Sequence, residues 1–179
     1  MKHYCILLAV MVTVAIGTAS AQKGLQGIGV NIGMLTNLVD ELENVSLHDH
    51  VAPIIDVKYQ YGISKIYRIE PYVSVKKLEG EVGFGAGINN HFFFRGIKRF
   101  RPYGLVGIGY NSMKFTDIQW VVQPIPVESH GLYVRGGLGI DYRFTHQWSM
   151  QAELSCDWHI GGEYVFVFIP FKVGVAYNF

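Results

Sequence analysis

The sequence has few cysteines, few prolines and almost no net charge. Only 2 of its 179 residues are Cys, which excludes a disulfide scaffold. Its 15 Lys and Arg residues against 14 Asp and Glu residues argue against electrostatic recognition of nucleic acid. A content of 50% hydrophobic residues excludes a disordered chain, and the length corresponds to one domain.

A long apolar run is missing except near the N-terminus. Ile6 to Gly17 is apolar but too short for a membrane-spanning helix, Lys2 precedes it, and Ala19-Ser20-Ala21 follows it. This pattern predicts a signal peptide over residues 1–21, cleaved before Gln22, and a single domain over residues 22–179. An uncleaved anchor helix is the alternative. After cleavage the charges balance and Cys156 is alone, so we interpret it as a passive apolar side chain.

From residue 24 onward the sequence alternates with a period of two, which predicts eight β-strands. One face of each strand carries Ile, Val, Leu and aromatic residues. The other face is mostly glycine with scattered polar and charged residues, as in the alternation of Val82, Phe84, Ala86 and Ile88 with Gly83, Gly85, Gly87 and Asn89.

A soluble sandwich with its apolar face inside would also alternate, so the glycines decide between the two architectures. A sheet facing water normally carries larger polar residues at such positions, whereas a small closed barrel needs small side chains along its axis. We therefore expect the glycine face inside a barrel and the apolar face in lipid. Outer loops are predicted at residues 36–50, 77–81, 112–129 and 159–164, and inner turns at 63–68, 95–101 and 145–147.

Prolines and aromatic residues fit this arrangement. The prolines are predicted at strand ends or in loops, with Pro53 and Pro170 at the outer rim, Pro71 and Pro102 at the inner rim, and Pro124 and Pro126 in the third loop. Outward aromatic residues are predicted to form two interfacial girdles. The lower girdle has Tyr59, Tyr61, Phe92, Phe94, Phe144, Trp148, Tyr177 and Phe179, and the upper one has Tyr110, Trp158 and Tyr164.

Two segments carry a family resemblance, the glycine-alternating residues 101–110 and the C-terminal residues 171–179, which end on an aromatic residue. With them the chain resembles the eight-stranded outer-membrane barrels, the group with the OmpA transmembrane domain and the OmpX/Ail-like proteins. The resemblance implies an all-β, antiparallel, up-and-down transmembrane β-barrel in a Gram-negative outer membrane. It also implies that Tyr177 and Phe179 signal to the barrel-insertion machinery, and that no peptidoglycan-binding domain is expected.

The inward positions carry equal numbers of acids and bases, which predicts a network of ion pairs rather than a path for ions of one sign. The predicted network consists of Asp56, Lys58, Glu70, Lys76, Arg135, Asp141, Arg143, Glu153, Asp157 and Lys172. If the last inner turn centres on His146, Arg135 and Asp157 lie directly opposite each other. We favour a packed polar plug, because eight strands enclose little more than side chains. An open, porin-like channel is the alternative.

The sequence contains no strong candidate for a catalytic or metal-binding site. A lipid A-modifying enzyme would need Ser and His together near the outer rim. However, His146 and Ser149 face opposite ways at an inner turn, and alternation places no Ser beside His130 or His159. The sequence His48-Asp49-His50 could suggest a metal site but fixes no third ligand. We therefore predict no catalytic residues, no metal and no cofactor.

The third outer loop is the most credible interaction surface, because it is unusually apolar for an exposed segment. The residues concerned are Met113, Phe115, Ile118, Trp120, Val121 and Val122. Either the flanking strands extend beyond the membrane and offer an edge to a partner, or the loop folds over the barrel mouth. We favour the extension. The overall prediction is a monomeric outer-membrane barrel with a structural or surface-interaction role, surrounded by lipid, with a host or cell-surface partner at its loops. A narrow porin comes second and a lipid A-modifying enzyme third.

Overall fold

The computed structural model describes residues 26–37, 51–78, 81–94, 99–120, 123–160 and 166–179. The predicted signal peptide and the His48-Asp49-His50 segment lie outside these residues. The described residues form eight strands: β1 (Gln26–Asn37), β2 (Ala52–Gly62), β3 (Tyr67–Leu78), β4 (Glu81–Phe93), β5 (Phe100–Trp120), β6 (Gln123–Arg143), β7 (Trp148–Ile160) and β8 (Phe166–Asn178).

The eight strands form one closed barrel in sequence order, with every neighbouring pair antiparallel. β1 closes the barrel by pairing with β8 as well as with β2. Closure satisfies backbone groups that an open sheet would leave at its edges. We call the end with the connections at residues 63–66, 94–99 and 144–147 the turn end, and the opposite end the loop end. Within the described residues, there is no helix long and apolar enough to cross a membrane.

The predicted inside and outside of the barrel are confirmed. Large apolar side chains of every strand point outward, for example Ile28 at 51% and Met34 at 60% exposure. The glycine face points inward, where side chains from across the barrel fill the space. A Cβ atom at Gly139 would run into the ring of Tyr103. Small residues are therefore needed on the inner face because large ones occupy it from neighbouring strands.

The predicted bounds of the third outer loop are too wide, because β5 and β6 continue through most of residues 112–129, as the favoured extension of the flanking strands predicts. They pair from Phe100↔Tyr142 to Trp120↔Gln123, with an irregularity between Phe115 and Ile118. Pro124 and Pro126 consequently lie in β6 and not in a loop. Among the described residues, the extension pairs with neither β4 nor β7, since those ladders stop at Ser112 and Leu132. Strands with such free edges tolerate proline.

The inner turns differ from their predicted bounds, and the largest difference is in the first, which is two residues shorter. The first spans residues 63–66, closed by hydrogen bonds from the backbone N–H groups of Ile63 and Ser64 to the carbonyl of Tyr67, both at 3.1 Å. β3 therefore begins early enough to place Arg68 in the barrel wall. Pro71 and Pro170 likewise lie within β3 and β8, opposite Ile88 and Leu35, and not at the rims.

Candidate functional site: the charged barrel lumen

The charged side chains predicted for the lumen lie there. Nine of the ten are at most 3% exposed, and Arg143 is half-buried near the turn end. Arg68, assigned from the sequence to a turn, is 5% exposed and lies among them. The fully buried set therefore still has as many acids as bases, with Arg68 in the place predicted for Arg143.

Arg135 and Asp157 form the best-aligned pair. They face each other across β6 and β7, as the sequence predicts. The guanidinium donates through Nε to Oδ1 at 2.6 Å and through Nη2 to Oδ2 at 2.7 Å. The same guanidinium lies 5.0 Å from the ring centroid of Tyr72 and 5.3 Å from that of Tyr133. A bidentate pair between two aromatic rings fixes a planar cation in one orientation.

Lys172 links two acids that lie on either side of its own strand, β8. Its ammonium donates to Asp56 Oδ2 at 2.7 Å and lies 3.3 Å from Glu153 Oε1. Glu153 also accepts a 3.4 Å hydrogen bond from the hydroxyl of Tyr103. One cation thus connects β2, β7 and β8, and the tyrosine adds β5.

Glu70 is the hub of a second group nearer the turn end. Lys58 Nζ donates to Glu70 Oε1 at 3.2 Å, and the Gln60 side-chain amide donates to Oε2 at 3.0 Å. Arg68 lies 3.7 Å from the same carboxylate and donates to Asp141 Oδ2 at 3.0 Å. Lys58 also donates to Gln151 on β7. The group therefore crosses the lumen from β2 and β3 to β6 and β7.

His91 completes this group and its tautomer follows from its neighbours. Arg68 Nη2 lies 2.8 Å from His91 Nδ1, and since arginine can only donate, Nδ1 accepts. The neutral ring then carries its proton on Nε2, which lies 3.5 Å from Glu70 Oε1. The imidazole also stacks on Tyr103 with a centroid distance of 4.4 Å. His91 therefore lies between the charged residues around Glu70 and the aromatic residues Phe93 and Tyr103 at the turn end.

Glu70, His91 and Glu153 together resemble a metal-ligand set, since one ligand atom from each lies within 4.8 Å of the others. However, Lys58 and Lys172 already neutralise the two carboxylates. The ring nitrogen that faces Glu70 carries the proton, so it has no lone pair to offer a metal ion. We interpret this cluster as an ion-pair hub.

Lys76 has a polar and aromatic environment. With the Asn111 amide oriented so that its oxygen faces the ammonium, that oxygen accepts a 3.0 Å hydrogen bond from Nζ. The ammonium also lies 5.7 Å from the centroid of Tyr133. The hydroxyl of Tyr133 in turn contacts that of Tyr72. This layer lies on the loop-end side of the Arg135–Asp157 pair.

Buried apolar and aromatic residues lie on both sides of the charged residues along the barrel axis. They were not predicted from the sequence. At the turn end Phe93, Tyr103 and Leu105 form a buried cluster, with the guanidinium of Arg101 4.0 Å from the Phe93 centroid. Toward the loop end, the inward positions are also apolar. They are the buried residues Leu35, Ala52, Ile54 and Phe168. Buried apolar residues thus line part of the inner wall on each side of the charged residues, from β4 and β5 at the turn end and from β1, β2 and β8 toward the loop end.

The alternating pattern of the sequence predicts only part of the arrangement inside the lumen. Tyr133 stands on the polar face of its strand, so its inward position was predicted, but its contact with Tyr72 depends on how the barrel curls. Tyr103 and His91 are not among the predicted lumen residues, because that prediction covers acids and bases of the Asp, Glu, Lys and Arg types only. Alternation could have identified both residues, because each occupies an inward-facing position at the end of β4 or the start of β5.

The remaining predicted residues are distributed as follows. The outward aromatic residues of both girdles are exposed or half-exposed wherever they are described, and Tyr164 lies outside the described residues. Tyr177 and Phe179 point outward at the turn end. His130 is exposed, whereas His159 lies inside, stacked on Tyr133.

The predicted interaction surface is described only in part. Met113, Phe115, Ile118 and Trp120 lie in the paired extension of β5. Val121 and Val122 lie outside the described residues.

No protein-family model and no curated protein matches the chain. Solved structures do. The N-terminal β-barrel domain of Pseudomonas aeruginosa OprF matches with a TM-score of 0.61 and 14% identity, covering 88% of this chain and 100% of that one. Neisserial surface protein A matches with a TM-score of 0.67 and 12% identity, covering 86% and 97%. Ail of Yersinia pestis, in complex with the heparin analogue sucrose octasulfate, matches with a TM-score of 0.57 and 14% identity, covering 88% and 100%.

At such identities the likeness shows the fold and nothing further. The chain has the fold of the eight-stranded outer-membrane barrels, so the resemblance seen in the sequence is confirmed at that level.

Proposed function

We propose that this protein is an integral outer-membrane β-barrel with a closed lumen, which acts through the surface at its loop end. The observation that carries membrane residence is the outer wall. The exposed bulky apolar side chains of the eight strands are 38–65% exposed, and a water-soluble barrel would have to leave this entire surface in water. In the proposed orientation the turn end faces the periplasm.

The closed lumen is supported by the layers inside it. Two groups of ion pairs cross the barrel, and buried apolar residues line part of the wall on each side of them. An ion crossing this lumen would have to break buried pairs, each of which costs several kcal/mol to disrupt. We therefore favour a structural plug over the porin-like channel.

The surface role is supported by the β5–β6 extension. It carries paired strands past the ends of the β4 and β7 ladders, and its two edges, which no other described strand pairs with, offer backbone groups to a partner strand. Ail, a barrel of the same fold, binds a heparin analogue, so a barrel this small can recognise a ligand. We propose a host or cell-surface partner for the extension.

Membrane residence is tested by fractionation and by a gel. We expect the processed chain to stay with membranes after urea washing, to need detergent for extraction, and to migrate differently before and after boiling. Release without detergent would contradict the proposal. Single-channel recordings on the purified barrel test the closed lumen, and we expect no steady conductance. A stable ohmic channel would favour the porin.

A further inference from the structure

A depression lies in the lipid-facing wall of the barrel. It has a volume of about 410 Å³ and lies on the outside of β5 to β8, between mid-height and the turn end. Its rim is formed by the outward side chains of Phe94, Leu138, Leu154 and Phe171, and its base by Pro102 and Ala152. Tyr103, Gly139 and Glu153 line it as well, and since their side chains point into the lumen, they contribute backbone to the base.

Small residues at outward positions create this groove. Ala152 stands where neighbouring outward positions of β7 carry Met150 and Leu154. On β5 the outward position opposite Leu138 is Gly104, where an added Cβ would meet only the ring of Phe94, at 3.4 Å. The groove therefore has a small residue, Ala152, among large exposed neighbours, and Gly104 lies opposite one of them, Leu138.

We propose that this groove binds one acyl chain of a phospholipid from the periplasmic leaflet, with the phosphate near Arg99. The proposal rests on the membrane orientation proposed above. Lipid tails are as apolar as the wall, so no hydrophobic gain distinguishes the groove from the bilayer. An unfilled groove would, however, lose dispersion contacts on every side, and a flexible chain restores them.

Charge at the turn end favours a phospholipid as the occupant. Arg99 is exposed and lies three residues before Pro102, which is about 10 Å along an extended strand. The exposed aromatic side chains of Phe100 and Tyr142 lie between the groove and that charge, at the level expected for an interface. A second copy of the chain fits less well, because the convex wall of another barrel cannot follow a narrow groove.

Photolabelling tests the proposal. The barrel is reconstituted with phosphatidylglycerol carrying a photoactivatable group in its acyl chain, and labelled peptides are identified by mass spectrometry. We expect labels concentrated on residues 138–140 and 152–154, falling several-fold in Ala152→Phe, which fills the groove. Ala86→Phe is the matched control, because Ala86 is also outward and exposed but lies on β4, outside the groove.

Arg99→Gln provides a second variant that leaves the wall unchanged. We expect it to lower labelling by phosphatidylglycerol at the groove. Even labelling around the barrel, or labelling insensitive to Ala152→Phe, would overturn the proposal. Crosslinks between two copies that Ala152→Phe abolishes would show a dimer interface and also overturn it. A chain that fails to insert into the membrane would instead contradict the proposed function, so the two failures are distinguishable.

Discussion

Arg135 and Asp157 face each other across β6 and β7 and are joined by two parallel hydrogen bonds of 2.6 and 2.7 Å, deep in the lumen. Both side chains are essentially inaccessible. The pair therefore has no water to replace either partner, and the loss of one leaves the other charge buried and uncompensated.

We expect Asp157→Ala to destabilise the barrel by about 3–5 kcal/mol, the usual cost of breaking a buried ion pair from one side. The measurement is the free energy of unfolding in urea, in detergent micelles. Replacing both partners, as in Arg135→Met with Asp157→Leu, should recover much of the loss, because no lone charge remains. An Asp157→Ala barrel as stable as the wild type would refute the pairing.

Lys172→Met should also destabilise the barrel by a few kcal/mol, because it leaves Asp56 and Glu153 without the ammonium that lies between them. Urea titration again measures the change. Lys77→Met is the matched control, since Lys77 is exposed on β3 and should change stability by less than about 0.5 kcal/mol. Equal effects of the two substitutions would show that the Lys172 bridge contributes little.

Two glycines of β5 test how tightly the lumen is packed. A Cβ at Gly109 would lie 2.6 Å from the ring of Tyr133, whereas one at Gly104 would meet only Phe94, at 3.4 Å. We expect Gly109→Ala to cost about 1–3 kcal/mol through overpacking. Gly104→Ala should be neutral or slightly stabilising, because it restricts the unfolded chain and points outward. Unfolding free energies in urea measure both effects. If Gly104→Ala destabilised the barrel more than Gly109→Ala, the assignment of Gly109 to the packed lumen would be wrong.

The extension of β5 and β6 should be dispensable for folding. Replacing residues 116–126 by Asn-Gly closes the hairpin between Phe115 and its partner Val127 with a favoured two-residue turn. We expect normal membrane insertion and heat-modifiable migration, together with loss of binding to host cells or cell-surface glycans. Failed insertion would mean that the segment packs on the barrel mouth and stabilises it.

Much of the site was predictable because alternation fixes which side of a strand each residue occupies. Parity alone placed Asp56 and Lys172 inside, and a centred turn placed Arg135 opposite Asp157. Arg68 was missed because the sequence suggested a longer turn than the backbone forms. Pro124 and Pro126 suggested a loop, but the structure places both in β6. Proline is compatible with an edge strand, and in this part of β6 no described strand other than β5 pairs with it.

The sequence by itself determined the number of strands, the two faces of each strand and the pairing of neighbours, since these depend on periodicity and on short connections. Only the tertiary structure decided which side chains meet across the lumen, where Glu70, His91 and Glu153 converge from β3, β4 and β7. Such contacts depend on the tilt and stagger with which the sheet closes.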